Sequence, residues 1–136
     1  MKLELLTILC CPKTKNKLFF EGRSTALKNI EFGSLVTEDR KYFYPIERGV
    51  PRFVEESNYA DNFSMQWNLY SKTQLDSFSG QDISANRFWK TTGWKASEMK
   101  DKWVLVVGCG SGRFSEIALS AGAKVVALDY SSAVDA

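Results

Sequence analysis

Three glycines and one aspartate have the types and the spacing that a binding site needs. Gly108, Gly110 and Gly112 directly follow an apolar run, residues 103–107, and Asp129 directly follows a second apolar run. Glycine allows a tight turn and leaves no Cβ between the backbone and a ligand. A glycine-rich turn followed about 20 residues later by a carboxylate is the general arrangement that holds an adenosine-containing ligand.

A β-α-β unit is predicted to position these residues. The run Trp103–Val107 contains no polar residue, which predicts a strand buried on both faces of a parallel sheet. Gly122 is expected to end the helix that follows, and residues 125–128 are expected to form the second strand. The helix shows one apolar stripe, formed by Phe114, Ile117, Ala118 and Ala121.

The glycine spacing argues against two other nucleotide-binding loops. The dinucleotide fingerprint G-x-G-x-x-G needs its third glycine at position 113, where this chain has Arg113. The P-loop needs a Gly-Lys-Ser/Thr triplet, which the sequence does not contain. Another nucleotide site, or a purely structural use of the β-α-β unit, stays open on the residues alone.

The G-x-G-x-G loop followed by Arg113-Phe114 resembles motif I of the class I S-adenosylmethionine-dependent methyltransferases, and residues 121–131 resemble their motif II. In that family the loop passes under the cofactor, and the acid after the second strand accepts hydrogen bonds from both ribose hydroxyls. The resemblance therefore implies S-adenosylmethionine as the cofactor. Val106 departs from the family pattern, in which an acid helps to hold the methionine end. The implied cofactor-binding residues are Gly108, Cys109, Gly110, Gly112, Asp129 and Tyr130.

Asp129 also has a structural interpretation, as a solvated loop residue or as a cap for a helix that begins at Ser131. The functional interpretation expects Asp129→Ala to weaken S-adenosylmethionine binding at least tenfold, because charge-assisted hydrogen bonds to the ribose are lost. It expects thermal stability to change little.

Residues 1–56 are predicted to form a small separate domain. The pattern Leu-x-x-Leu-x-Cys-Pro, residues 6–12, and the pattern Tyr-Pro-Ile-x-x-Gly-Val-Pro, residues 44–51, resemble the zinc-ribbon-like family that includes the activator subunit of tRNA methyltransferases. Members of that family are often fused to, or bound by, a methyltransferase domain. The segment 42–46 is expected to be a strand, residues 47–49 a turn, and residues 50–54 a short edge strand.

The metal positions of that family are altered here. Metal-binding members would have cysteines at 11 and 14 and again near 37 and 40, whereas this chain has Cys11, Thr14, Thr37 and Arg40. One thiolate cannot form a tetrahedral zinc site, so no metal ligand is predicted. Apolar contacts are expected to replace the metal, among Leu18, Phe20, Tyr44, Ile46 and Phe53.

Residues 57–100 are predicted to be helical and to lead into the first strand. Ser84 is expected to cap a helix that Gly93 ends. Gln66, Trp67 and Tyr70 are candidates for lining the cofactor pocket, although aromatic residues at helical spacing belong more often to a core.

The composition limits the classes of function and of compartment. The formal net charge is +2 with the signs interspersed, no basic and aromatic cluster suggests nucleic acid, and histidine is absent. No run is long enough to span a membrane, and three cysteines without framework spacing fit a reducing cytoplasm. A small molecule or a saccharide is the expected substrate.

These observations predict an α/β chain, the start of a Rossmann-like methyltransferase sheet preceded by a small α+β zinc-ribbon-like domain without its metal. The predicted domains are 1–56, an entry segment 57–100 and a first β-α-β unit 101–136. The main functional prediction is the N-terminal, truncated portion of a methyltransferase, whose catalytic residues are unknown and which self-associates through unpaired strand edges. The alternative is a non-enzymatic adaptor in which residues 1–56 bind a partner protein.

Overall fold

The chain forms two compact units, Met1–Glu55 and Glu56–Ala136. A computed structural model describes residues 1–22, 29–54 and 69–135. Within these ranges no helix is long and apolar enough to cross a membrane.

The first unit is built on an antiparallel sheet in which each strand pairs with its neighbour in sequence. A short 3-10 helix, Leu3–Thr7, precedes the sheet. Arg48 and Gly49 join the last two strands and have positive φ values of 49° and 81°, as a two-residue hairpin turn requires. The strands are β1 (Leu18–Glu21), β2 (Gly33–Thr37), β3 (Phe43–Glu47) and β4 (Val50–Pro51).

The core of the first unit lies on one face of this sheet. Strand alternation directs Leu18, Leu35 and Tyr44 to the same face, where they are buried. Phe20 and Phe53 pack against this core. The predicted small mixed α/β domain is therefore confirmed in its antiparallel sheet. The core also contains Cys11, Ile30 and Ile46.

The second unit contains a parallel pair of strands with a helix between them. The strands β5 (Trp103–Val107) and β6 (Lys124–Leu128) pair in register from Trp103 opposite Lys124 to Val107 opposite Leu128. A 3-10 helix, Ser132–Asp135, follows. The helices are α1 (Asp76–Ser79), α2 (Ile83–Thr92), α3 (Ala96–Met99) and α4 (Arg113–Ser120).

Only one face of this parallel pair is covered by the described residues. Val104 is buried against Phe88 of α2 and Ile117 of α4, whereas Leu105 and Val107 point to the other face and are 62% and 70% exposed. The prediction that β5 is buried on both faces is wrong, because both packed helices lie on the same side.

The cap of α2 differs from the prediction. Ser84 lies inside the helix and is buried, and the carboxylate of Asp76 caps the helix by accepting the N–H groups of Ser84 and Ala85 at 2.9 and 2.8 Å. Gly93 ends α2 in a left-handed conformation, as predicted. The candidates Gln66 and Trp67 fall outside the described residues, and Tyr70 is 63% exposed in a turn.

Candidate functional sites

The outer face of the first sheet carries an apolar stripe across three strands. Phe19, Val36 and Phe43 are paired in register, so their side chains project from the same face, away from the core. Phe19 is 43% exposed and Phe43 is 62% exposed, while Val36 between them is buried. We call these three residues the outer sheet face.

Charged groups border the outer sheet face. The Lys17 ammonium lies 5.8 Å from the centre of the Phe19 ring, a cation–π distance. The Arg40 guanidinium donates to the Glu21 carboxylate at 2.6 Å, and both side chains are solvent-exposed. Such an exposed pair contributes little to stability, about 0–1 kcal/mol. The surface therefore combines exposed rings with a charged rim, as protein interfaces do.

The four residues at the zinc positions do not form a metal site. The Cys11 sulfur lies 3.1 Å from the Tyr44 hydroxyl, in the core. The Thr37 hydroxyl donates to Asp39 at 2.6 Å, and Arg40 is occupied with Glu21. No group of three metal-binding side chains occurs within the described ranges. These residues do not fit zinc, because they supply one thiolate and no second soft ligand.

Hydrogen bonds with neighbouring groups surround the buried sulfur of Cys11. Burial raises the pKa of the Cys11 thiol, but hydrogen bonds from Thr14, from Tyr44 and from the backbone of Lys13 outweigh it and lower the pKa to about 7. Burial and the neighbouring Cys11 sulfur raise the pKa of Tyr44 to about 12, so its hydroxyl stays protonated and can donate to a Cys11 thiolate.

The first testable prediction concerns metal. Because Thr14, Thr37 and Arg40 cannot replace thiolates, we expect the purified protein to contain no stoichiometric zinc by elemental analysis. A chelator should leave the melting temperature unchanged, since no metal–ligand bond contributes to folding. A zinc-to-chain ratio near one would contradict this prediction.

The second prediction concerns the titration of Cys11. A pKa of about 7 in the folded chain is below the unperturbed thiol value, so the thiolate favours the folded state as pH rises from the folded value to the unfolded value. The unfolding free energy of the wild type should therefore increase between about pH 7 and pH 8.5, relative to Cys11→Ala. Chemical denaturation of both proteins across this range measures it. Cys10→Ala is the control, because Cys10 is exposed, and parallel pH curves for wild type and Cys11→Ala would refute the prediction.

The glycine loop lies at the carboxyl ends of the two parallel strands. Gly108 and Cys109 donate their backbone N–H groups to the Leu128 carbonyl at 2.8 and 3.1 Å, which ties the loop to β6. Gly108, Gly110 and Gly112 all have positive φ values, 69°, 52° and 98°. Residues that carry a side chain adopt such values only with strain. The structure therefore brings the loop and the Asp129 region together.

Asp129 is bonded within this loop. Its carboxylate accepts the N–H of Gly110 at 2.7 Å and both the N–H and the hydroxyl of Ser131, at 2.9 and 2.7 Å. Burial raises the pKa of Asp129, but the hydrogen bonds from Ser131 and Gly110 outweigh burial and lower it. Removing this carboxylate is therefore expected to cost stability, whereas the sequence alone predicts little change.

The space beside the loop is open. A Cβ added at Gly108 would meet no atom within 4 Å, and one at Gly112 would meet only Ser115, at 4.0 Å. The hydroxyl oxygens of Ser111 and Ser115 are buried without a hydrogen-bond partner among the described residues. Buried hydroxyls of this kind usually have a hydrogen-bond partner, so these two can each form a further hydrogen bond.

The other candidate residues of this site have different surroundings. Burial and the nearby Asp129 charge raise the pKa of the Cys109 thiol, so it stays protonated. Tyr130 is 48% exposed beside the loop. Val106, at the position of the family's acid, is half-buried and packs into the apolar core of the second unit. The methionine end of a cofactor would find no carboxylate there.

A polar network behind the loop was not evident from the sequence. Arg113, the first residue of α4, donates to the Ser84 hydroxyl at 2.9 Å, and Glu116 of the same helix accepts the N–H of Asp76 at 3.1 Å. These bonds connect α4 to α1 and α2. The only sequence signal was the presence of Asp76 a few residues before an apolar helix, which is typical of a cap.

Comparisons with known proteins address the first unit. Its antiparallel sheet defines a small mixed α/β domain. Residues 2–49 match the family described as Trm112p-like protein. No curated protein matches the chain.

One solved structure is similar over the same part of the chain. It is the complex between the Haloferax volcanii Trm112 methyltransferase activator and a protein described as a methyltransferase. The identity is 35%, the match covers 40% of this chain and 93% of that chain, and the TM-score is 0.35.

These findings correct the main functional prediction. The prediction of a methyltransferase enzyme is wrong, because the family and the solved relative are those of a methyltransferase activator, not of a catalyst. The predicted small-molecule or saccharide substrate is also wrong, because the solved relative binds another protein. The adaptor alternative agrees better with both findings.

Proposed function

We propose that this chain is a non-enzymatic adaptor that binds and activates a methyltransferase protein through residues 1–56. The observation that carries this proposal is the outer sheet face, on which Phe19 and Phe43 are exposed at the surface of the unit that matches the Trm112p-like family. Exposed aromatic side chains in register on one face are the usual anchors of protein interfaces.

The energetics of this face favour a protein partner. Full burial of a phenylalanine contributes about 1.5–3 kcal/mol, so the exposed parts of Phe19 and Phe43 together supply roughly 1.5–3 kcal/mol of the about 8 kcal/mol in a micromolar interaction. A small molecule would need a concave pocket, whereas Phe19 and Phe43 project from a sheet surface. The Lys17 and Arg40 side chains at the rim would set orientation and partner choice rather than affinity.

Co-expression tests the proposal. The chain should be produced together with class I methyltransferases encoded by the same genome, and complexes should be isolated by size-exclusion chromatography. We expect one of them to co-elute in a fixed ratio and to transfer methyl groups faster than it does alone. Methyl transfer catalysed by the chain alone, or a lack of co-elution with every methyltransferase, would refute the proposal.

We also propose that the glycine loop of the second unit binds S-adenosylmethionine without turning it over, as the start of a Rossmann-like unit. Three observations support a ligand: the open space beside Gly108, the loop position at the carboxyl ends of parallel strands, and the unpartnered Ser111 hydroxyl. Gly108, Cys109, Gly110 and Gly112 would lie under the ligand, and Asp129 and Tyr130 would lie beside its ribose.

The hydrogen bonds of Asp129 limit its role in this ligand site. A carboxylate has about four acceptor positions, and Gly110 and Ser131 use three of them, while the backbone of Tyr130 also bonds to this carboxylate. Asp129 would therefore accept a ribose hydroxyl only in exchange for one of these bonds. The absence of an acid at Val106 predicts weaker binding than in a complete methyltransferase.

We propose a reducing, cytoplasmic compartment for this adaptor. Cys10, Cys11 and Cys109 are all free thiols. Cys11 can keep its hydrogen bond with the Tyr44 hydroxyl in the core only while it is reduced, as a thiol or a thiolate. Such cysteines are typical of proteins kept reduced.

A further inference from the structure

The exposed face of the parallel strand pair is an uncovered apolar surface on the second unit. Trp103 and Leu128 are also 44% and 49% exposed, in addition to Leu105 and Val107. Parallel strands normally have both faces covered, most often by helices. We call this surface the open β5–β6 face. It consists of Trp103, Leu105 and Val107 with their paired residues Lys124, Val126 and Leu128.

The size of the open β5–β6 face fits one helix. Two strands lie about 4.8 Å apart and five residues span about 16 Å, so an α-helix about 10 Å wide and about 11 residues long would cover them. The four most exposed side chains present on the order of 400 Å². That is about half of the roughly 800 Å² per partner in a standard interface, which makes a second folded copy a poorer fit than a single helix.

A mostly apolar cleft lies at the amino-terminal end of β5, beside Trp103. The Lys124 ammonium lies 5.4 Å from the centre of the Trp103 ring. Lys102 and Glu98 line the cleft, and the backbone N–H of Lys124 bonds to the Lys102 carbonyl at 2.8 Å, so two ammonium groups belong to this end of the face. The cleft has a volume of about 230 Å³ and is lined by Trp94, Glu98, Met99, Lys102, Trp103 and Val104.

We propose that the open β5–β6 face binds an amphipathic α-helix of a partner protein. The apolar stripe of the helix covers Leu105, Val107 and Leu128, and one bulky side chain near its end enters the cleft beside Trp103. An acidic residue of the helix lies next to Lys102 and Lys124. The proposal concerns the second unit alone and does not depend on the docking function of residues 1–56.

Designed peptides test this proposal on the full chain. The probe is a peptide of about 14 residues with leucines at i, i+3, i+4 and i+7 and glutamates elsewhere, and the matched control has the same composition in scrambled order. Isothermal titration should show the amphipathic peptide binding at least tenfold more tightly than the scrambled one. A peptide with lysines in place of glutamates should bind about threefold more weakly, which corresponds to a surface charge effect.

Variants of the chain locate the bound peptide. Leu105→Asp and Val107→Asp should each weaken binding at least tenfold, because each places a charge under the apolar stripe. Leu119→Asp is the control, since Leu119 is 54% exposed on α4, outside the open β5–β6 face, and should leave binding unchanged. Circular dichroism of both face variants identifies any that fails to fold, and either folded variant is sufficient.

Three outcomes would overturn the proposal. Equal binding of the ordered and scrambled peptides would mean that the face has no preference for a helix. Unchanged binding in a folded Leu105→Asp or Val107→Asp variant would place the peptide elsewhere. A dimer in analytical ultracentrifugation that Leu105→Asp converts to a monomer would show that a second copy of this chain covers the face.

Discussion

Phe43→Asp is expected to weaken the complex between this chain and its methyltransferase partner at least tenfold, and the double change Phe19→Asp, Phe43→Asp at least a hundredfold. Full burial of a phenylalanine contributes about 1.5–3 kcal/mol, so covering the exposed 43% of Phe19 and 62% of Phe43 contributes roughly half of that each, and a tenfold change in affinity corresponds to about 1.4 kcal/mol. An aspartate at the same position adds the cost of burying a charge. Titration calorimetry with the partner identified by co-elution measures the loss.

Phe78→Asp is the matched control for this experiment. Phe78 is 65% exposed, close to the 62% of Phe43, but it lies on α1 of the second unit. The same substitution there should leave the affinity unchanged. Both phenylalanines of the outer sheet face are solvent-exposed, so the variants should keep the wild-type melting temperature. Full affinity in a folded double variant would exclude this face as the docking site.

Asp129→Ala is expected to destabilise the second unit by about 2–3 kcal/mol, because it leaves Gly110 and Ser131 without the acceptor of their charge-assisted hydrogen bonds. For a unit of this size the loss corresponds to a melting temperature about 10 °C lower. Thermal unfolding followed by circular dichroism measures it. An unchanged melting temperature would mean that the loop does not depend on this carboxylate.

The pH dependence of the unfolding free energy distinguishes the contribution of the Asp129 charge from that of the side chain's shape. The folded chain lowers the pKa of this carboxyl below its ordinary value of 3.8, so its stabilising contribution is present above that value and is lost as pH falls through the folded pKa. The stability difference between wild type and Asp129→Asn should therefore shrink below about pH 4. A constant difference from pH 7 to pH 3 would contradict the charge-based explanation.

Two loop variants, Asp129→Asn and Gly108→Val, test the ligand site at a temperature where they remain folded. If S-adenosylmethionine lies across the loop, Asp129→Asn should weaken its binding several-fold, since one ribose hydroxyl loses a charged acceptor. Gly108→Val should abolish binding, because a side chain would fill the open space beside the loop. If isothermal titration gives the same S-adenosylmethionine affinity for the wild type, Asp129→Asn and Gly108→Val, this loop is not the binding site. That result would not affect the adaptor proposal.

Local patterns in the sequence predicted the elements well. The apolar runs and the glycines at 93 and 122 predicted where β5, β6, α2 and α4 end, because these signals act over a few residues. The same reasoning failed for the burial of β5. Whether a strand is covered on its second face depends on elements distant in sequence, which an apolar run does not report.

The functional error has a similar physical origin. The glycine loop and Asp129 give a strong local signal for a nucleotide site, but a loop of this kind does not reveal whether a chain performs chemistry. The residues of the outer sheet face did leave a signal in the sequence, which was overlooked. In a half-exposed strand, apolar residues alternate with polar ones. The unbroken apolar run Leu18-Phe19-Phe20 therefore indicates that both faces of β1 are apolar.

The consecutive order of β1, β2, β3 and β4 has a consequence for the speed and timing of folding. Every strand of this sheet pairs with its neighbour in sequence, and the three connections contain eleven, five and two residues, so no pairing requires contact between distant parts of the chain. Sheets with such local pairing fold faster than sheets that join distant strands. Because chain synthesis starts at the amino terminus, this sheet can assemble while the glycine loop is still being translated. The outer sheet face would then be available to a partner before the second unit exists.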